Sequence, residues 1–190
     1  MRTIIKTPYW IWPAELSDSL CDAIIEEGNK LTEIDAKVRL DKDKGEISTT
    51  TRETKISWYP EDCWVSDIIN GYLIKANKLA GWNFNITTNE NVQFGKYTKG
   101  SFYRWHQDVI NTVKYRKLSV TVQLSAPTDY EGGDFEIKDF WKTKKLTFKE
   151  DIRKRGTIII FPSLLSHQVT PVTKGTRYSL VQWYSGPDFV

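Results

Sequence analysis

Two histidines, His106 and His167, are all the imidazole in this 190-residue chain, so any chemistry that needs that side chain must use one or both. Asp108 follows His106 by two positions. On a β-strand, residues i and i+2 share a face, so these two side chains can converge on one point. They form two thirds of a 2-His-1-carboxylate facial triad, and only His167 remains to complete it. Three protein ligands on one face of an octahedral metal leave three positions open, which suits a ferrous ion that must also bind a co-substrate and dioxygen. Catalytic zinc uses the same donor types and stays open as the competing metal.

Arg177 lies ten residues beyond His167. An inward Arg in an aromatic-rich barrel needs an acidic partner, because an unpaired buried guanidinium is costly. A dicarboxylate that chelates iron through a 2-oxo acid end, and offers its far carboxylate to the Arg177 fork, meets both needs. Zinc alone gives Arg177 no role. With 13 Asp and 8 Arg in the chain, Asp at +2 from one His and Arg at +10 from the other arise together by chance in about 0.3% of cases. Even discounted several-fold for other motifs, coincidence is a poor explanation.

The elements that would position these residues change character along the chain. Residues 13–31 carry Leu16, Leu20, Ile24 and Leu31 near helical spacing, and residues 62–80 carry a second such pattern. Residues 35–54 between them are polar and Thr-rich, and read as an exposed loop with at most a weak hairpin. From residue 91 onward the period is two, with strands expected at 91–98, 102–109, 117–125, 133–138, 145–148, 157–161, 167–172 and 176–183. Turn chemistry separates them, as in Ala126-Pro127-Thr128-Asp129 and Glu131-Gly132-Gly133. Short strands at this spacing predict a mainly β protein, a jelly roll with helices of the N-terminal part packed against it.

Composition bounds the rest. The chain fits one domain, 1–190, with a helical part over about 1–90 and a β core over about 91–186. Hydrophobic residues at 39% and charged residues at 27% exclude a disordered tail or a disulfide scaffold. The longest uncharged apolar run, near 156–165, is far short of a membrane span. No signal-peptide core follows Met1, and Cys21 and Cys63 lie far apart, so a soluble protein with reduced thiols in the cytoplasm is expected. A net charge of +3 gives nucleic acid little support as a partner. The basic run 142–155 reads as a solvated face.

The motifs taken in order resemble the 2-oxoglutarate- and Fe(II)-dependent oxygenase superfamily, in its prolyl 4-hydroxylase-like branch, and within it the PKHD-type hydroxylases. The matching stretches are Tyr97-Thr-Lys-Gly100-Ser-Phe-Tyr103-Arg-Trp-His106-Gln-Asp108, Leu118-Ser-Val-Thr-Val-Gln-Leu-Ser125 and Tyr130-Glu-Gly132-Gly133. Gly156-Thr-Ile-Ile-Ile-Phe-Pro162-Ser163 and His167-Gln-Val-Thr-Pro171-Val-Thr-Lys-Gly-Thr-Arg177 complete them. The resemblance spans about 91–184 and implies a double-stranded β-helix with iron held by His106, Asp108 and His167. It also implies that Arg177 pairs with the distal carboxylate of 2-oxoglutarate, with Tyr97 and Trp183 at the co-substrate pocket, although an aromatic in a barrel is also ordinary core. Gln123, which departs from the aromatic common in relatives, and Thr121 fall on the polar face of their strand and border the co-substrate or merely the core. The chain stops 13 residues after Arg177, short of the helical extension of longer PKHD-type proteins, which leaves their oligomeric arrangement in question.

The implied reaction is hydroxylation of a C–H bond by Fe(II), 2-oxoglutarate and O₂, with ascorbate as a possible reductant. A prolyl residue in a peptide or protein is the first substrate choice, with Tyr103, Arg52 and Trp58 as candidate substrate contacts; Trp58 serves equally as core and Arg52 equally as a surface charge. Two alternatives stand beside it. Oxidative demethylation of alkylated nucleic acid would want a basic, aromatic groove. A non-catalytic metal-binding jelly-roll module would need no anchor for a dicarboxylate.

Overall fold

A computed structural model describes residues 7–36, 51–109, 115–138, 144–148 and 151–187. The elements are β1 (Trp10–Trp12), α1 (Asp18–Gly28), β2 (Ile34–Asp35), β3 (Arg52–Glu53), β4 (Lys55–Trp58), α2 (Trp64–Leu79), β5 (Thr88–Asn89), β6 (Gln93–Tyr97), β7 (Phe102–His106) and β8 (Tyr115–Gln123). They continue with β9 (Tyr130–Gly132), β10 (Phe135–Ile137), β11 (Ile158–Pro162), β12 (His167–Val169), β13 (Val172–Gly175) and β14 (Arg177–Gly186). Seven strands run in the order β1-β11-β8-β14-β6-β4-β2, with β5 attached to β14. Facing them is a four-stranded sheet, β10-β12-β7-β3, and a β13-β9 pair lies beside it. All pairings are antiparallel, giving the jelly-roll fold that the strand spacing predicts.

The large sheet is buried on both faces, and its sequence shows why. In β8 the even positions Leu118, Val120 and Val122 join Ile24, Val65, Ile69, Leu73 and Ala76 of the two helices in one apolar cluster. The odd positions Ser119, Thr121 and Gln123 are just as buried but polar, and they face the interior of the roll. β11 divides likewise: Ile158 and Ile160 pack toward the helices, while Ile159 and Phe161 join Phe135, Ile137 and Val169 in a second cluster between the sheets. A strand covered on both faces reads as a continuous apolar run, as Ile158-Ile159-Ile160-Phe161 does. Helix α1 starts where Ser17 accepts a hydrogen bond from the Leu20 amide at 3.3 Å.

Several strand expectations are corrected. The N-terminal part is not only helix and loop: β1 lies along β11, β3 along β7 and β4 along β6. These strands are two to four residues long, too short for periodicity to reveal, and exist because a longer strand offers an open edge. Residues 145–148 form no strand; Lys145 makes a single bridge to Lys138. Of the loop expected over 35–54, residues 37–50 lie outside the described residues, as do parts of the basic run 142–155. The loop's ends are held, with Ile34 and Asp35 paired to Ile56 and Lys55. Cys21 and Cys63 are free and buried.

Gly156 turns the chain into β11 with φ +76°, and a Cβ there would come within 2.1 Å of the Leu16 carbonyl oxygen. Gly156→Ala should therefore lower stability in urea denaturation by more than about 1 kcal/mol. Gly71, on the exposed face of α2, provides the contrast, since a Cβ added there would meet nothing within 4 Å. Gly71→Ala should raise stability by about 0.5–1 kcal/mol.

Candidate metal centre and its pocket

His106 ends β7, His167 opens β12, and the two face each other across the register of that pair. Asp108 does not share the strand of His106, contrary to the sequence expectation. It lies just beyond β7, where its amide donates to the Ser163 carbonyl at 3.0 Å. The i, i+2 spacing still works because that backbone bond turns the carboxylate inward. The β7–β12 register shifts between His167 and Val169, so Tyr103 sits opposite Val169 and His106 opposite His167. This irregularity brings Tyr103 and His106, three positions apart, to one face, where their rings stack with centroids 3.4 Å apart.

The three ligand candidates meet closely. Nε2 of His106 lies 3.5 Å from one Asp108 oxygen, and Nε2 of His167 lies 3.4 Å from the other. All candidate ligand atoms fall within 4.8 Å of one another. Each imidazole Nδ1–H donates to the carbonyl two residues earlier, His106 to Arg104 at 2.8 Å and His167 to Leu165 at 3.0 Å. That bond fixes the tautomer and leaves both Nε2 lone pairs aimed at the shared point. Burial pushes His167 down to about 4, so it is neutral and able to ligate at pH 7. Burial alone would raise the Asp108 carboxyl, but the electrostatic influence of the His167 and His106 imidazoles facing it, together with the hydrogen bond from Ser119, outweighs it and holds the group well below the usual carboxylate range. Ser119 Oγ–H donates to Asp108 at 2.7 Å and lies 2.9 Å from Ser163 Oγ, which must then donate in turn.

Arg177 opens β14 and is 1% exposed. Its guanidinium donates to Gln123 Oε1 at 2.8 Å and Ser179 Oγ at 3.2 Å, and stands 5.2 Å from the Tyr97 ring centre. All three partners are neutral. The Arg177 Nε–H, a Gln123 amide N–H and the Trp183 indole N–H are buried donors without a partner. Donors arranged this way fit a carboxylate, and two imidazoles with fixed Nε2 lone pairs beside one carboxylate fit a divalent transition metal.

Arg177, Tyr97, Thr121, Trp183, Tyr103 and Arg52 line the same cavity as the metal-ligand candidates. Gln123 reaches it through Arg177. Trp58 does not line it; that side chain is 38% exposed and packs on Trp183 with ring centres 6.2 Å apart. Sequence reasoning missed Ser119, although its place two residues before Thr121 on the same strand face was a usable signal. It also missed Ser163, Ser179 and Gln93, which no local pattern distinguishes.

Residues 92–185 match the family model of the 2OG-Fe(II) oxygenase superfamily. A PKHD-type hydroxylase of Prochlorococcus marinus is 34% identical over 134 residues, covering 70% of this chain and 55% of that protein. One of Burkholderia ambifaria is 35% identical over 96 residues, covering 47% and 40%. The chain thus spans about half the length of these curated relatives. In fold it is similar to a prolyl-4-hydroxylase of Pseudomonas putida (TM-score 0.69, 19% identity, covering 96% of this chain and 95% of that one). A prolyl hydroxylase of Trichoplax adhaerens, solved with a hypoxia inducible factor peptide fragment, gives a TM-score of 0.74 at 19% identity over 95% and 84% of the two chains.

Ser119→Ala removes the hydroxyl that holds Asp108. Cobalt(II) or Fe(II) affinity, titrated in solution, should fall by about 10- to 100-fold with the fold retained; unchanged affinity would show that Ser119 is not needed to orient the carboxylate.

Proposed function

The chain belongs to the 2OG-Fe(II) oxygenase superfamily, and from that premise we propose that it is an Fe(II)- and 2-oxoglutarate-dependent dioxygenase that hydroxylates a C–H bond, with a prolyl residue in a peptide or protein as substrate. The observation that carries this reading is the pairing, in one cavity, of the His106–Asp108–His167 cluster with a buried Arg177 that has only neutral partners. Hydroxylase-named relatives and the peptide-bound structural neighbour support the substrate class.

In this reading His106, Asp108 and His167 hold the iron, and Arg177 binds the far carboxylate of 2-oxoglutarate. Bound Fe(II), with 2-oxoglutarate and O₂, supplies the oxidising power for C–H hydroxylation as the co-substrate is decarboxylated to succinate. The protein's own work is positional. In the neutral imidazoles the Nδ1 hydrogen bonds keep the proton on Nδ1 and leave Nε2 to ligate, and Ser119 keeps Asp108 turned to the same point. Gln123 and Ser179 hold the Arg177 fork in plane, so little side-chain entropy remains to be lost on binding. Phe135, Phe161, Val169 and Trp183 wall the cavity, which excludes water and strengthens the Arg177 pair. Ascorbate as a reductant belongs to the same proposal. No described helix is long and apolar enough to cross a membrane.

His106→Ala and His167→Ala should each reduce 2-oxoglutarate-dependent succinate formation to background, and wild-type rates in either variant would refute the assignment. Arg177→Ala should weaken 2-oxoglutarate by at least tenfold, because a charge-assisted pair contributes about 1.5–3 kcal/mol. The visible charge-transfer band of the anaerobic Fe(II) complex reads that affinity directly.

A further inference from the structure

Arg52 is a second buried guanidinium in the metal cavity. Among the described residues, the partly buried arginines elsewhere each meet a carboxylate: Arg116 meets Glu90 at 2.6 Å, Arg153 meets Asp134, and Arg155 meets Asp22. Arg177 and Arg52 do not, and they are the most buried of all, at 1% and 7% exposed. Arg52 donates from Nη2 to the neutral Gln93 Oε1 at 2.8 Å and stands 4.5 Å from the centre of the Tyr103 ring, the ring stacked on His106. Its Nε–H is buried with no partner. Burying a guanidinium among neutral groups is costly unless an anion joins it.

The charge balance of the cavity points the same way. Among the described residues, the charged ones lining it are Asp108, Arg52 and Arg177. Adding a divalent ion and a doubly charged co-substrate, as the proposed function does, leaves one positive charge uncompensated. Arg177 is already assigned to the co-substrate, and Arg52 is the cation left over. We infer that Arg52 anchors a carboxylate of the primary substrate, so that the molecule hydroxylated carries an anionic group close to the reacting C–H bond. This rests on the iron and 2-oxoglutarate reading and narrows its substrate class. The carboxylate can be the α-carboxylate of a free or terminal amino acid, or an Asp or Glu side chain next to the target in a peptide.

The test uses the protein loaded anaerobically with Fe(II) and 2-oxoglutarate, with the charge-transfer band confirming loading. Acetate serves as the minimal carboxylate and acetamide as its neutral counterpart. Acetate should raise Tm of the loaded wild type by about 2 °C or more at ten times its Kd, with the band unchanged, and acetamide should not. Arg52→Gln should lose that shift while retaining wild-type affinity for 2-oxoglutarate. Gln93→Glu places a carboxylate where Arg52 already donates, so it should also abolish the acetate shift, and it serves if Arg52→Gln fails to fold. In air, succinate formation at least about tenfold faster with L-proline than with L-prolinamide assigns the α-carboxylate. The same preference for a blocked Asp-Pro peptide over Asn-Pro assigns the side chain.

An equal effect of acetate and acetamide, or an acetate shift that survives in both variants, overturns the inference. So does a loss of 2-oxoglutarate affinity in Arg52→Gln as large as in Arg177→Ala, which would make Arg52 a co-substrate residue. A wild-type protein with no band refutes the oxygenase reading itself, and that result is distinct from a band that forms and ignores carboxylates.

Discussion

The site depends on the buried Asp108 carboxylate, which is held by Ser119 Oγ–H and the turn at Ser163 and faced by the Nε2 atoms of His106 and His167. A buried charge of this kind needs hydrogen bonds and opposite charge close by; Ser119 supplies the first, and the divalent ion of the proposed function would supply the second. Here the hydrogen bonding extends outward in layers. Ser163 orients Ser119, Ser119 orients Asp108, and backbone carbonyls orient both imidazoles. The layers come from distant parts of the chain, namely β8, the turns after β7 and β11, and strands β7 and β12, so the geometry of the candidate ligands records whether the two sheets have come together correctly.

The large sheet makes this possible by being buried twice. Its outer face is covered by two amphipathic helices, and its inner face carries polar residues that an ordinary core would not tolerate. Ser119, Thr121, Gln123, Ser179 and Arg177 share the inside of β8 and β14, where hydrogen bonds among them offset the loss of water. The apolar cluster beneath the helices therefore carries the stability, and the interior of the roll is free to hold a polar site.

Besides the Arg177–Tyr97 contact, two further aromatic–cation contacts flank the cavity. Arg116, paired with Glu90, lies 3.9 Å from the Trp183 ring centre, and Arg52 lies over Tyr103. In the first the charge is balanced and the indole is fixed in place. In the second it is not, and this difference separates a structural arginine from one that waits for an anion.

The candidate ligand set and much of the core are legible in the order of the amino acids alone. With two histidines in the chain, composition alone restricts any His₂ site to His106 and His167, and the i, i+2 spacing singles out Asp108, although a turn beyond β7 and not the strand itself brings its carboxylate inward. The period-two alternation of 118–125 marked the polar inner face, and helical spacing marked α2, because both signals are local and repeat over several residues. Tertiary structure decided the rest. β1, β3 and β4 are too short to carry a pattern and exist only as partners of other strands. Arg52 and Gln93 are 41 positions apart, and Tyr103 reaches the face of His106 only through an irregularity in the β7–β12 register. None of these follows from spacing, since each depends on which strand edges meet and on where a long-range hydrogen bond ends the alternation.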